Sequence, residues 1–315
     1  IINDDNTNNE KNKIDIIEEF VKKLIEKYNN NPSYYIYKSI KKANKYLINY
    51  LRKGLIESLN EEKPEILTKI NSLEELKEKI EMDSTENIYK IIINGSLTDD
   101  KMESLDIFKN KKFDSLKRLQ MNNIKCLKNI SDLSSCYFPK LEKLIFGSAE
   151  IDDLCIDAIK NMKLPMIKFI SLYHNKIKSP EIFGAIKHFN TLEKFYIGEN
   201  PLYIDKDKIK GIIYEFPDNL IELGMNFCFE KDTNNFIVEN LNLENIKILY
   251  VGGNGITSLE MFKYLDNLEE LWLRGDKKKG VLEDITQIEY LKSNENMKKI
   301  VLKENDIKNI EELVK

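Results

Sequence analysis

One apolar pattern recurs nine times along the chain and constrains its fold more than any other feature of the sequence. In each copy, two variable residues separate the first apolar residue from the second, and one separates the second from the third. The first positions recur every 22 to 29 residues, at Ile88, Leu116, Leu141, Ile167, Leu192, Leu220, Ile246, Leu268 and Met297. Such a period indicates a solenoid, in which each unit buries its apolar face by stacking on its neighbours.

The spacing within each copy predicts a short strand, because alternate residues of a strand point to the same side. Stacked strands would form a parallel sheet with the repeated apolar residues inside. In most units the rest of the repeat leaves room for a returning outer helix, as at 153–161 and 179–189. The 22-residue interval after Ile246 favours a shorter helix or a turn. Several units carry an asparagine whose side chain can bond free backbone groups where the chain leaves the strand: Asn175, Asn200, Asn254 and Asn305.

This pattern resembles the leucine-rich repeat family, LxxLxLxxN, from about Ile88 to Lys315. It is similar to both the ribonuclease-inhibitor-like and the SDS22-like classes without matching one cleanly. Cys228 and Asp276 replace the asparagine in two units. The resemblance implies an α/β solenoid, a horseshoe with a concave parallel β-sheet, comprising about nine repeats over residues 87–315.

The region before the repeats has a different pattern. Residues 1–13 are polar and predict a disordered or extended tail. Apolar residues at helical spacing over 14–86 predict a small helical bundle of three helices. The third of these helices is predicted to start at Pro64, with an apolar face of Ile66, Leu67, Ile70, Leu73, Leu76 and Ile80. Solenoid ends need covering, so we expect the bundle to cap the open edge of the sheet.

Residues between the inward positions would face the concave side, and they include large aromatic side chains. The central column of these residues comprises Ile92, Gln120, Ile145, Ser171, Tyr196, Gly224, Tyr250, Trp272 and Val301. Exposed tyrosine and tryptophan bury a large area at small entropic cost, which is typical of binding surfaces. The predicted partner-binding residues on this face are Arg118, Lys143, Phe169, Tyr173, Lys194, Tyr196, Tyr250, Trp272 and Arg274. The alternative is that the aromatic rings pack on one another across neighbouring strands.

Charge gives a weaker indication of the partner. The 49 basic and 53 acidic residues leave a net charge of −4, which excludes a bulk polycation that grips nucleic acid by charge alone. Arg118, Lys143 and Lys194 favour an acidic stretch of a protein partner. The segment 34–54 carries six basic residues interleaved with tyrosines and no acidic residue. It allows attachment to nucleic acid or an anionic membrane, although such a charge run is more often a solvated helix face.

The sequence carries no motif for catalysis. It has no glycine-rich phosphate loop, no GxSxG elbow and no HExxH, and its two histidines lie fourteen residues apart without ligand-spaced cysteines. We therefore predict no catalytic residues, no metal site and no cofactor. The four cysteines form no CxxC pair, which favours an intracellular, cytoplasmic location.

The function predicted from these observations is noncatalytic protein binding on the concave face. One alternative follows from the family resemblance alone: regulation of an enzyme, as in the repeat proteins that activate a GTPase or regulate a phosphatase. The other is attachment to nucleic acid or membrane through 34–54. Apolar Ile307, Ile310 and Leu313 look like the start of another outer segment. We expect further chain or a partner to cover that edge.

Overall fold

The computed structural model describes residues 65–68, 73–82, 85, 88–94, 104–124, 127–276, 278, 281–292 and 294–307. The chain divides into two units, Ile1–Lys63 and Pro64–Lys315, and every described residue lies in the second. The predicted tail 1–13, the first two predicted helices and the basic segment 34–54 lie outside the described residues. The predictions made for them therefore stay predictions.

A single parallel sheet runs through the second unit, and its strands neighbour one another in chain order from β1 to β10. The strands are β1 Glu65–Thr68, β2 Ile88–Asn94, β3 Arg118–Asn122, β4 Lys143–Gly147, β5 Phe169–Ser171, β6 Lys194–Tyr196, β7 Glu222–Gly224, β8 Ile248–Tyr250, β9 Glu270–Trp272 and β10 Lys299–Val301. The nine predicted strands correspond to β2–β10. This arrangement confirms the predicted solenoid.

The predicted start of the third helix was wrong. Residues Glu65–Thr68 form strand β1, which pairs in parallel with β2, and the helix α1 begins only at Leu73 and ends at Met82. The register places Leu67 opposite Ile91, the second apolar position of the next unit. Lys69 stands two residues later, where the pattern requires an apolar residue, so this unit escaped the motif. The sheet therefore begins one unit earlier than predicted.

The core follows the repeated apolar positions. The second position of each unit is at most 1% exposed from β2 to β9: Ile91, Leu119, Leu144, Ile170, Phe195, Leu223, Leu249 and Leu271. The corresponding residue of β10, Ile300, is only partly buried, as are Met297 and Leu302. Helix α1 contributes Leu76 and Ile80 to the same core.

Outer segments return the chain from one strand to the next. They contain helices α2 Cys155–Asn161, α3 Glu181–Ala185, α4 Lys206–Ile209 and α5 Phe236–Glu239, and 3₁₀ helices at Asp106–Phe108, Ser131–Ser135, Glu260–Phe262 and Ile285–Leu291. The predicted helices at 153–161 and 179–189 correspond to α2 and α3. The short interval after Ile246 holds only the 3₁₀ turn Glu260–Phe262, as predicted.

Buried asparagines fix the turns that follow the strands. Asn254 accepts hydrogen bonds from the backbone N–H groups of Cys228 and Phe229 at 2.8 and 2.9 Å. Its amide donates to the carbonyls of Met225 and Val251 at 2.9 and 2.8 Å. Asn175 and Asn200 bond the backbone in the same way. These side chains tie adjacent units together and satisfy backbone groups that no strand partner reaches.

Each of these turns also needs a left-handed residue. Positive φ occurs two residues after the third apolar position in seven units, at Asn123, Ser148, His174, Glu199, Phe227, Gly253 and Glu304. Such a conformation is costly for a residue with a Cβ atom, and its repetition shows that the surrounding turn imposes it. The turn directs each unit away from the sheet at the same point and keeps the strands in register.

Candidate functional site

The central column lies in one continuous register across the sheet. Each of its residues is the direct partner of the next, from Ile92 opposite Gln120 to Trp272 opposite Val301. The apolar neighbours on either side of Tyr250, Leu249 and Val251, are fully buried, whereas Tyr250 is half-buried. Trp272 is also half-buried rather than sealed in the core. The side chains therefore alternate between core and concave face as the repeat predicts.

Four aromatic rings of this face form a contiguous row, the aromatic ladder, comprising Phe169, Tyr196, Tyr250 and Trp272. The ring centroids of Phe169 and Tyr196 lie 5.2 Å apart in edge-to-face geometry, and those of Tyr196 and Tyr250 lie 5.9 Å apart. Tyr250 stacks on Trp272 at 5.4 Å. The rings thus pack on one another, as the alternative interpretation held, yet each remains half-buried. Packing fixes their orientation and leaves surface for a partner.

Gly224 makes the middle contact of the ladder possible. It lies on β7 between Tyr196 on β6 and Tyr250 on β8. A Cβ atom at Gly224 would come within 2.9 Å of Tyr196 Cδ1. The absence of a side chain at this position therefore allows the Tyr196 ring to lie over the β7 backbone and to reach Tyr250 across an intervening strand.

Carboxylates hold the polar atoms of two rings of the ladder, Tyr196 and Trp272. Glu222 is 4% exposed and accepts hydrogen bonds from the Tyr196 hydroxyl and the Lys194 ammonium. Burial, and then the Glu222 carboxylate, raise the pKa of Tyr196 well above its usual range. The hydrogen bond to Glu222 raises the pKa of Lys194. In the last ring of the ladder, Trp272 Nε1 donates a hydrogen bond to Glu270 Oε2 at 2.9 Å.

Tyr173 belongs to a second column, two residues further along each unit than the central column, and is 42% exposed. Its hydroxyl donates to Glu199, whose other oxygen lies 2.5 Å from His174 Nδ1. Burial and the Glu199 carboxylate raise the pKa of Tyr173 to about 12. Burial alone would raise the pKa of Glu199, but the hydrogen bonds from Tyr173 and His174 outweigh it and the pKa is lowered.

The remaining predicted residues lie outside the ladder. Arg118 donates to the Gln120 side chain through Nε at 3.0 Å, and Lys143 is exposed on β4. Arg274 lies over the Phe227 ring at 5.6 Å and pairs with Glu304 at 2.6 Å. The sheet therefore places Arg118 and Lys143 on adjacent strands, whereas Arg274 lines the same surface cavity as His174 and Glu199.

Comparison with solved structures identifies the architecture. An internalin (inlF) from Listeria monocytogenes aligns with a TM-score of 0.53 over 79% of this chain at 18% identity, and the chain spans 63% of that protein. An internalin C2 (inlC2) from the same organism aligns at a TM-score of 0.40 and 16% identity, over 74% of this chain and 76% of that one. No protein-family model matches the sequence, and a search of curated proteins found no relative.

The array has a leucine-rich-repeat fold. The pattern of apolar residues, the parallel sheet and the structural likeness agree on this point. The resemblance to leucine-rich repeats and the predicted horseshoe solenoid are confirmed. The likeness to inlF concerns the fold alone, because the identity is low.

Sequence reasoning missed the acidic partners within the leucine-rich-repeat face. Glu222 was not selected, although it lies directly opposite Lys194 on the next strand. Cross-strand pairing of opposite charges was the signal that could have found it. Glu199 lies in a turn, outside the strand pattern, and no feature of the sequence placed it beside Tyr173.

The described residues form neither a metal site nor a membrane-spanning helix. No group of three histidine, cysteine or acidic side chains there could hold a metal ion. Cys136, Cys155 and Cys228 are buried in the leucine-rich-repeat core, and burial raises the pKa of Cys136 to about 11. No helix of the described part is long and apolar enough to cross a membrane.

Proposed function

We propose that this protein is a noncatalytic binding module that holds a protein partner on the concave face of its sheet. Leucine-rich-repeat folds commonly mediate protein–protein interaction, because stacked units create an extended concave surface. The observation that carries the proposal is the aromatic ladder, a contiguous row of half-buried rings at the middle of that surface. Tyrosine and tryptophan are enriched at the energetic centres of interfaces.

The ladder is organised before any partner arrives. Neighbouring rings hold one another, and Glu222 and Glu270 hold the polar atoms of Tyr196 and Trp272. Side chains that are already ordered lose little entropy on binding, so more of the contact energy appears as affinity. A partner would meet a surface of fixed shape.

The face is large enough for a stable complex. Ten strands spaced about 4.8 Å apart extend over roughly 43 Å, which accommodates the ~800 Å² that each partner buries in a standard interface. At the N-terminal side of the ladder, Arg118 and Lys143 favour an acidic segment of the partner. Lys194 contributes less to this preference than its sequence suggested, because Glu222 holds its ammonium.

The other functions predicted from the sequence are still hypotheses. No contact among the described residues favours a GTPase or phosphatase as the partner, and the segment 34–54 lies outside them. The intracellular location rests on the sequence alone, which has no CxxC pair.

Alanine variants test the proposal against a partner captured by the wild-type protein from its native source. Tyr250→Ala and Trp272→Ala should each weaken binding by at least about 30-fold, as expected for residues at the centre of an interface. The matched control is Tyr264→Ala, because Tyr264 is 79% exposed on an outer segment next to the 3₁₀ turn Glu260–Phe262. Equal affinity of all three variants, or loss of binding only in Tyr264→Ala, would place the binding surface elsewhere.

A further inference from the structure

A small pocket opens on the concave face between the central column and the column of Tyr173. Its volume is about 280 Å³, and it is lined by Tyr173, Tyr196, Gly198, Gly224, Asn226 and Tyr250. Pockets for small molecules usually enclose about 300–1,000 Å³, so this one suits a single side chain of a partner. It lies at the middle of the surface to which we assign binding.

Two glycines make room for the pocket. A Cβ atom at Gly198 would lie 3.3 Å from Tyr173 Cδ2, and one at Gly224 would lie 2.9 Å from Tyr196 Cδ1. The two tyrosine rings therefore lie close over glycine backbone, and Tyr250 stands on the strand after Gly224. The pocket is thus a tyrosine-walled space over a backbone floor.

The hydrogen bonds of these tyrosines determine which ligand the walls can accept. The hydroxyls of Tyr173 and Tyr196 donate their protons to Glu199 and Glu222. They consequently offer lone pairs and ring faces to a ligand, rather than O–H donors. Hydrogen bonding to a carboxylate also increases the electron density of a phenol, which strengthens the attraction of the ring face for a cation.

The nearby charges point the same way. After burial, the carboxylates of Glu222 and Glu270 raise the pKa of Tyr250, whereas Lys194 lowers it, so two acidic groups lie near this wall of the pocket. Two basic groups lie close by, but Glu222 holds the ammonium of Lys194 and Glu304 holds the guanidinium of Arg274. Neither basic residue lines the pocket.

We propose that this pocket receives the guanidinium side chain of an arginine on the protein partner. A guanidinium is planar, stacks on aromatic rings, is weakly hydrated and can donate to the tyrosine oxygens, so it matches each property of the walls. This inference rests on the proposed function and specifies its chemistry. The partner would place an arginine over β6–β8 and its acidic segment towards Arg118 and Lys143.

Amino-acid probes test the pocket without the partner. Trp272 is the only tryptophan of the chain and stacks on Tyr250, a wall of the pocket, so its fluorescence reports on occupancy. The probes are N-acetylarginine amide, its uncharged near-isostere N-acetylcitrulline amide, and N-acetylglutamate amide. Saturation-transfer NMR on the probes gives a second readout that does not depend on the tryptophan. We expect saturable binding of the arginine probe that is about 10-fold tighter than that of the citrulline probe.

Variants locate the binding. Tyr173→Ala removes a wall that is 42% exposed and lies outside the core, and it should abolish the arginine signal, whereas Tyr264→Ala should leave it unchanged. The inference is overturned if the arginine and citrulline probes bind equally, if the glutamate probe binds more tightly, if the arginine probe gives no saturable signal by either method, or if its binding survives in Tyr173→Ala.

The failure of this inference is distinguishable from the failure of the proposed function. Loss of partner binding in Tyr250→Ala, together with equal binding of the arginine and citrulline probes, would retain the concave interface and reject the arginine. Specific binding of the arginine probe, together with full partner binding by Tyr250→Ala, would retain the cation pocket and reject its place in the interface.

Discussion

The asparagine bonds between units lead to a quantitative prediction for Asn254→Ala. Asn254 is 1% exposed, and its side-chain amide accepts two hydrogen bonds from backbone N–H groups and donates two to backbone carbonyls. Removing it deletes the hydrogen bonds that the N–H groups of Cys228 and Phe229 donate to its side chain in the core. The loss of a hydrogen bond by a buried group costs about 1–3 kcal/mol, so we expect the free energy of unfolding to fall by about 2–6 kcal/mol. That is a large part of the about 5–15 kcal/mol that stabilises a typical domain.

Urea denaturation followed by Trp272 fluorescence measures this change, because the chain has no other tryptophan. The matched control is Asn235→Ala, since Asn235 precedes helix α5, is exposed and makes no capping hydrogen bond through its side chain. The control should change stability by no more than about 0.5 kcal/mol. A loss in Asn254→Ala as small as that of the control would show that the side chain does not bridge the units.

Three further predictions follow from the same contacts. Tyr250→Ala combined with Trp272→Ala should lower the free energy of unfolding by only about 1–3 kcal/mol in urea denaturation followed by circular dichroism, because it removes ring pairs at a half-exposed face. A loss as large as that for a fully buried Phe→Ala, about 3–5 kcal/mol, would place the rings in the core. Gly253→Ala should destabilise the protein more than Gly211→Ala. Both glycines have positive φ, but only a Cβ atom at position 253 would strike the Phe227 ring, at 2.1 Å. Equal melting temperatures of the two variants would contradict this. The protein should lose stability as the pH rises from the ordinary tyrosine pKa of 10.0 through about 12, because the unfolded state loses the Tyr173 proton first. The urea midpoint of Tyr173→Phe should fall less over this range than that of the wild type. An identical fall would refute the assignment.

The sequence could predict most of the array because leucine-rich repeats encode their strands locally. The register of all nine predicted strands follows from the three apolar positions of each unit, and Ile91, Leu144 and Leu249 are buried as that pattern requires. Strand β1 was missed because Lys69 interrupts its motif. There, pairing with β2 determines the structure rather than the local pattern.

The site could be predicted only in part. The exposed positions of Tyr250 and Trp272 follow from alternation along a strand, but their stacking depends on ring orientation, which no spacing specifies. The contact between Tyr196 and Tyr250 depends on Gly224, whose missing side chain lets a ring cross an intervening strand. Glu199 meets Tyr173 through a turn from the next unit, so only the three-dimensional arrangement reveals that pair.

Photochemical crosslinking tests most directly whether the concave face binds the partner. A photoreactive phenylalanine derivative placed at Tyr250 samples the middle of the ladder, and the same group placed at Tyr264 samples an outer segment with equal chemistry. The account predicts a partner crosslink at position 250 that far exceeds the one at position 264. Equal crosslinking at the two positions, or crosslinking at position 264 alone, would contradict it.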